Sequence, residues 1–319
     1  ASVLHVARSE EALAREFGLD RERVRAILER AKAKLFAERE RRARPGRDEK
    51  VILAWNALMV SALARSSRVL DAPGRLERAR RAARFIRGNM VREGRLVRSY
   101  KGEPSSVFGF LEDYVFWAQA LLDLYEASFD RSCLVEAARW MDAALELFWD
   151  EASPGFFLTP ADQPGLIYRP KDWQDQAIPS GAGIAAQVLL RLHAAFDDRG
   201  YAERAERMLE NYRRRMDQNP FATASLVLAY DGLVGGATEV VFVARPEQRE
   251  ELAPFLRVLG GAYVPHAVVH RIDPSEAESA TNELWKGKRQ LGGRVTAYVC
   301  KGFACSAPIV DSAEFAEYL

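Results

Sequence analysis

Hydrophobic positions fall into two alternating textures from residue 21 to about residue 234. One texture is a stripe. Leu76, Ala79, Ala83, Ile86 and Met90 recur at helical spacing with arginines opposite. Leu134, Ala138, Met141, Leu145 and Phe148 repeat the pattern, as do Tyr201, Ala205, Met208, Tyr212 and Met216. The other texture is apolar nearly all round, over residues 51–64, 114–125, 183–196 and 221–234. A helix with no polar face must be covered on both sides, so these segments predict inner helices and the stripes predict outer ones.

Inner and outer helices in alternation predict a mainly α fold, an incomplete α/α toroid. Inner-helix starts near Leu53, Leu111, Gly181 and Phe221 are expected on one side and more buried than the outer helices. The long connections, 91–110 and 150–180, follow outer helices and would frame the mouth of a central cavity. An α-solenoid competes, but its repeats are shorter and more regular. From residue 236 the texture changes: strands at Glu239–Ala244, Ala267–Ile272 and Val295–Cys300 and a helix at 246–259 predict a small C-terminal α/β element. The organisation expected is an N-terminal helical segment (1–45), toroid hairpins (46–235) and an α/β element completing the domain (236–319). About nine helices are countable, and a full ring of six hairpins needs twelve. The sequence opens at Ala1 on an ordinary polar helix, so the remaining helices are expected upstream.

Charge changes this picture little. Lys and Arg number 46 and Asp and Glu 45, a formal charge of +1 that gives no global pull toward nucleic acid or membrane. Residues 29–47 hold a basic run, eight Arg or Lys against three Glu, on a helix whose other face carries Val24, Ile27, Leu28, Ala31 and Leu35, which reads as a solvated face. No apolar run approaches the roughly 20 residues of a membrane span. Three cysteines in so long a chain argue against a disulfide scaffold and predict a reducing, cytoplasmic setting.

Several segments carry a resemblance. They are Asp48-Glu49-Lys50 with Trp55-Asn56, Phe110-Leu-Glu-Asp-Tyr114, Gly155-Phe-Phe157, Arg169–Gly181 and Tyr298-Val-Cys-Lys-Gly-Phe-Ala-Cys305. In this order the chain resembles the C-terminal part of the thioredoxin-domain-containing family typified by a spermatogenesis-associated thioredoxin-like protein. The resemblance implies a six-hairpin, glycosidase-like toroid, similar to N-acylglucosamine 2-epimerases and unsaturated glucuronyl hydrolases, behind a thioredoxin-like domain. It implies a sugar-like small-molecule ligand and no cofactor. The chain departs from the family pattern at Gln176, at Ala182-Gly183 and at Ala57.

Candidate chemistry centres on two carboxylates. Asp113 lies at the start of one inner helix and Asp175 just before the next, so both could face one cavity and divide acid and base roles. Glycosidases work with such pairs. The competing reading is that both interact with helix N-termini. Arg169 and Lys171 could bind an anionic ligand group or neutralise Asp172 and Asp175. Asp48, Lys50, Trp55 and Asn56 form a third corner, where a Trp stacks on a sugar or packs in the core. Glu112, Tyr114 and Ser180 complete the candidate ligand-binding set. A hydrolase or hydratase follows, with a non-catalytic module supporting a thioredoxin-like domain, or a sugar epimerase, as alternatives.

Of the histidines, His193 falls late in its helix, away from the mouth, which disfavours epimerisation. Cys300 and Cys305 with His266 and His270 have the count for zinc but poor spacing, and no metal is predicted. The cysteines are a redox or disulfide-forming pair, or two plain buried thiols.

Overall fold

The computed structural model describes residues 5–279, 284–302 and 304–319. Two compact units result, Ala1–Glu49 and Lys50–Leu319. In the first, α1 (Glu10–Phe17) and α2 (Arg21–Glu40) are capped by the side chains of Ser9 and Asp20. Arg21 and Arg25 pair with Glu10, and only Val24 of α2 is buried. The basic run is solvated, with Lys32 and Arg41 paired to Glu29 and Glu38.

The second unit begins with β1 (Val51–Ile52), α3 (Leu53–Val69) and α4 (Pro73–Asn89). Then come β2 (Val91–Arg92), β3 (Arg95–Leu96), β4 (Ser99–Tyr100), α5 (Leu111–Ser128) and α6 (Arg131–Phe148). After β5 (Trp149–Asp150) and β6 (Gly155–Phe156), α7 (Gly181–Phe196), α8 (Arg199–Gln218) and α9 (Ala224–Gly235) close the helical part. The α/β element holds β7 (Thr238–Val243), α10 (Arg249–Gly261), β8 (Ala267–Ile272), α11 (Pro274–Ser279), β9 (Thr296–Lys301), β10 (Ala304–Cys305) and α12 (Ser312–Phe315).

Helices α3, α5, α7 and α9 form the inner arc, packed in that order, and α4, α6 and α8 back α3, α5 and α7. Connections from inner to outer helix are short, whereas 91–110 and 150–180 return from outer to inner and carry the small ladders β2–β3, β1–β4 and β5–β6. All long connections therefore gather at the inner-helix starts. Helix α5, in mid-arc, is buried on nearly every side and α7 on most. The expectation that inner helices are more buried than outer ones fails at both ends of the arc: α3 buries one face only, about as much as outer α6, and in α9 only Ser225, Leu226 and Ala229 are buried. Phe221, Val227, Leu228 and Val234 stand exposed there, because among the described residues no further inner helix packs beyond α9.

The sheet, in order β10-β9-β7-β8, has β7 parallel to β8 and antiparallel to β9. One face packs Val240, Phe242, Val269, Ala297 and Val299 against α10 and α12. The other turns toward the far ends of the inner helices, where Tyr125 of α5 bonds buried His270 of β8 at 2.8 Å. Beneath it lies a buried ionic network: Arg68 of α3 and Arg191 of α7 hold Glu126 of α5 at 2.6 and 2.9 Å, and Arg191 also holds Asp123 at 2.9 Å. Among the described residues no helix is long and apolar enough to cross a membrane.

Candidate functional site at the inner-helix starts

The four inner-helix starts are tied together by two carboxylates. Asp113, on the first turn of α5, accepts from the amide of Phe110 and, across to α3, from the amide of Ala54, both at 2.9 Å. Its other interaction is with Arg98, also at 2.9 Å. Asp175 accepts from the amide of Ser180, the N-cap of α7, at 2.8 Å. It also accepts from the amide and hydroxyl of Ser225 in α9, at 2.7 and 2.5 Å. Each carboxylate thus answers the unsatisfied amides of two neighbouring helix starts. Between the two clamps, α5 and α7 touch closely: a Cβ at Gly181 would lie 3.0 Å from Leu111 Cδ2. The starts share one side of the arc, as the sequence predicts.

Asp113 is fully buried. Burial pushes it up to about 6, against the downward pull of Arg98. Its role here is a clamp, the second of the two readings open for it. Tyr114 and Ser180 leave the ligand-binding set for the same reason of access. Tyr114 packs edge-on to Trp140 and Phe148 in the core, and Ser180, 2% exposed, spends its hydroxyl on the amide of Gly183 and on Ser225. Any side chain at 183 would meet the Ser225 hydroxyl, which gives the departure at Gly183 a physical reason.

Arg169 and Lys171 do not reach Asp172 or Asp175. Arg169 donates to the carbonyls of Thr159 and Leu147 and lies 4.1 Å over the Phe157 ring. Lys171 pairs with Asp150 at 2.7 Å and donates to the Ser153 carbonyl. Both serve to fold the 150–180 connection. Within it Gly155 adopts φ 148°, and a Cβ there would sit 2.7 Å from the Tyr212 hydroxyl, so only glycine fits.

What remains open at this end is different. Trp55, on the first turn of α3, is 58% exposed, and Phe221, just before α9, is 92% exposed. Asn56 donates back to the carbonyl of Ile52 at 2.8 Å. Lys50, which opens this unit, is exposed, whereas Asp48 belongs to the first unit and is exposed there. Glu112 is half-buried beside Asp113 and pairs with Arg98 at 2.5 Å. Asp172 is half-buried, and burial raises it above the usual carboxylate range, with the charges of Glu112 and Asp175 adding to the effect. Among the described residues no cation lies within ion-pair distance of Asp172. The sequence reading placed Glu112 and Asp172 in the ligand set and missed Arg98, whose signal was only its place in a long connection.

At the opposite end, His193 bonds the Asp198 carbonyl at 3.1 Å and His266 bonds Asp231 at 2.8 Å. With His270 they lie far from the helix starts. The reading of Cys300 and Cys305 as plain buried thiols is corrected: they form a disulfide, because β9 and β10 set them directly opposite each other.

No family model matches the chain. It is homologous to spermatogenesis-associated protein 20, at 35% identity with the human protein and 34% with the rat protein, each over 331 aligned residues. All of this chain is covered, and it spans 42% of those relatives, in their C-terminal part. Solved structures similar to it include a family 76 glycoside hydrolase, an α-mannanase of Bacteroides thetaiotaomicron, at TM-score 0.49 and 14% identity, covering 85% of this chain and 68% of that one. Another is the cellobiose 2-epimerase of Spirochaeta thermophila, at TM-score 0.45 and 20% identity, covering 53% and 45%. The toroidal architecture itself rests on the four clamped inner helices described above.

Proposed function

We propose that the inner-helix starts bind a carbohydrate, and a neutral one in preference to a uronate. The observation that carries this is Trp55, a large indole left 58% exposed on the first turn of α3, at the end of the arc where Glu112 and Asp172 are half-buried. An exposed indole offers a stacking face, and carboxylates accept hydrogen bonds from hydroxyls. Arg169 and Lys171, the cations of the 150–180 connection, are committed to Asp150 and to backbone carbonyls, so neither is offered to an acid sugar.

The acid and base of any hydrolysis or hydration are then Asp172 and Glu112. Asp113 and Asp175 position them. Asp172, raised by burial, holds a proton at higher pH than an ordinary carboxylate, while Glu112 is anchored on Arg98. A second reading, a binding module without turnover that supports a thioredoxin-like domain, is favoured by the full use of Asp113 and Asp175 as clamps.

Saturation-transfer NMR with neutral disaccharides and matched uronides tests the proposal. Trp55→Ala is expected to weaken neutral-sugar binding about 10-fold, in keeping with about 1.5 kcal/mol for an aromatic contact. Unchanged binding in that variant overturns the site. If the wild type turns the sugar over, Asp172→Asn should cut the rate at least about 100-fold, the lower end of a general acid contribution. Binding without turnover selects the second reading.

A further inference from the structure

The small sheet carries a second cluster, independent of the inner-helix starts. Glu239 of β7 stands opposite Cys300 of β9, and Cys300 stands opposite Cys305 of β10. Directly opposed residues on neighbouring strands project to the same face. A carboxylate and two sulfurs therefore line up across three strands. The two sulfurs differ in access: Cys300 is 2% exposed, packed with Val241 and Tyr298, whereas Cys305 is exposed.

Lys288 is the unexpected member. It is 7% exposed, and its Nζ lies 3.4 Å from Cys305 Sγ. Burying an ammonium is costly without a strong partner, and a disulfide sulfur is a weak acceptor. The charge of Glu239 acts on Lys288, but among the described residues no ion pair joins them. Burial pushes Glu239 up to about 7, with Lys288 pulling it down and Asp197 pushing it up. A group of this kind both gives and takes a proton near neutrality.

We infer that Cys300–Cys305 is a thiol–disulfide exchange site that accepts two electrons from a dithiol, with Glu239 as its proton carrier and Lys288 as its charge partner. A thiolate of the incoming dithiol attacks Cys305 Sγ, the accessible sulfur. A bond forms between those two sulfurs, the Cys300–Cys305 bond breaks, and its electron pair leaves on Cys300. Glu239, protonated, gives its proton to the Cys300 thiolate. The second thiol of the dithiol then loses its proton to Glu239 and attacks the dithiol's own sulfur in the mixed disulfide. Cys305 leaves as a thiolate beside the Lys288 ammonium, the setting that stabilises a thiolate. The dithiol ends as a disulfide, the protein ends with two reduced sulfurs, and Glu239 regains the proton it gave.

Dithiothreitol, added to the folded oxidised chain at neutral pH, is the probe. Samples quenched with an alkylating agent and weighed by mass spectrometry count the thiols formed, while circular dichroism follows the fold. Two thiols should appear without unfolding. Glu239→Gln should slow their appearance about 100-fold, the lower end of positioned proton transfer. Lys288→Gln, which removes the charge but not the carboxylate, should slow it as well. In Cys300→Ser, oxidised glutathione should add to Cys305 and leave buried Cys133 untouched. A disulfide that opens only when the chain unfolds overturns the inference. So do equal rates in wild type and both charge variants, which would mark an ordinary exposed disulfide.

Discussion

At the far ends of the inner helices, half-buried Arg68 and Arg191 meet buried Asp123 and Glu126 under the small sheet, every charge paired. At the starts, Asp113 and Asp175 are just as fully partnered, yet Asp172 is half-buried with no cation in ion-pair distance among the described residues, and Glu112 is half-buried on Arg98. One end spends its charge on holding helices together. The other keeps part of it back, with aromatic rings exposed alongside. Residues that contribute least to stability are the ones available for chemistry, and the contrast can be measured.

The largest effect should come from the sealed end. Arg191→Met leaves Asp123 and Glu126 buried and short of a partner, and should cost about 3–5 kcal/mol in urea unfolding. A cost under about 1 kcal/mol would mean that water reaches the network. Next comes acid. Burial lowers His270 to about 4, whereas an unfolded histidine titrates near 6.5. The unfolded chain therefore binds the proton first, and stability falls as pH drops from about 6.5 to about 4, by about 3 kcal/mol in all. His270→Gln should flatten that slope, and an undiminished slope would remove His270 as its cause.

At the starts, Asp175→Ala removes the acceptor of two helix-start amides and should cost about 1–2 kcal/mol, the size of a lost cap. The smallest effect is expected at Asp172→Asn, within about 0.5 kcal/mol of wild type by denaturant midpoint. It relieves repulsion from Glu112 and Asp175 and breaks no ion pair. A large loss there would make Asp172 another clamp and erase the difference between the ends.

The alternation of helices was legible because helical periodicity is written locally, in stripes such as Leu134 to Phe148. Burial of α9 was not, since burial depends on what lies beside a helix, and α9 ends the arc. Ser180 was placed in the ligand set, and its role as the cap of α7 emerges only in the structure. The clamps were no more legible: the partners of Asp113 and Asp175 lie 59 and 50 residues away, at Ala54 and Ser225. Charges gathered at 169–175 did announce a need for partners, but sequence could not say that Asp150 and the Thr159 carbonyl would supply them. The alignment of Glu239, Cys300 and Cys305 is a matter of strand register, and its only trace in sequence was four residues between two cysteines, with Gly302 at a positive φ in the turn.

The sheet that covers the far ends of the helices follows the helical arc in the chain. About sixty residues separate the end of α9 from β9, so at roughly 5–20 residues per second a ribosome finishes the helical arc some 3–12 s before its lid is complete. During that interval Tyr125 lacks His270, and the Arg191 network faces water instead of protein. The nascent arc is a half-open ring whose most expensive charges are still hydrated, which spares it their desolvation cost until β7, β8 and β9 arrive. Completion of the sheet, and not helix formation, is then the moment at which this end of the molecule commits to its final state.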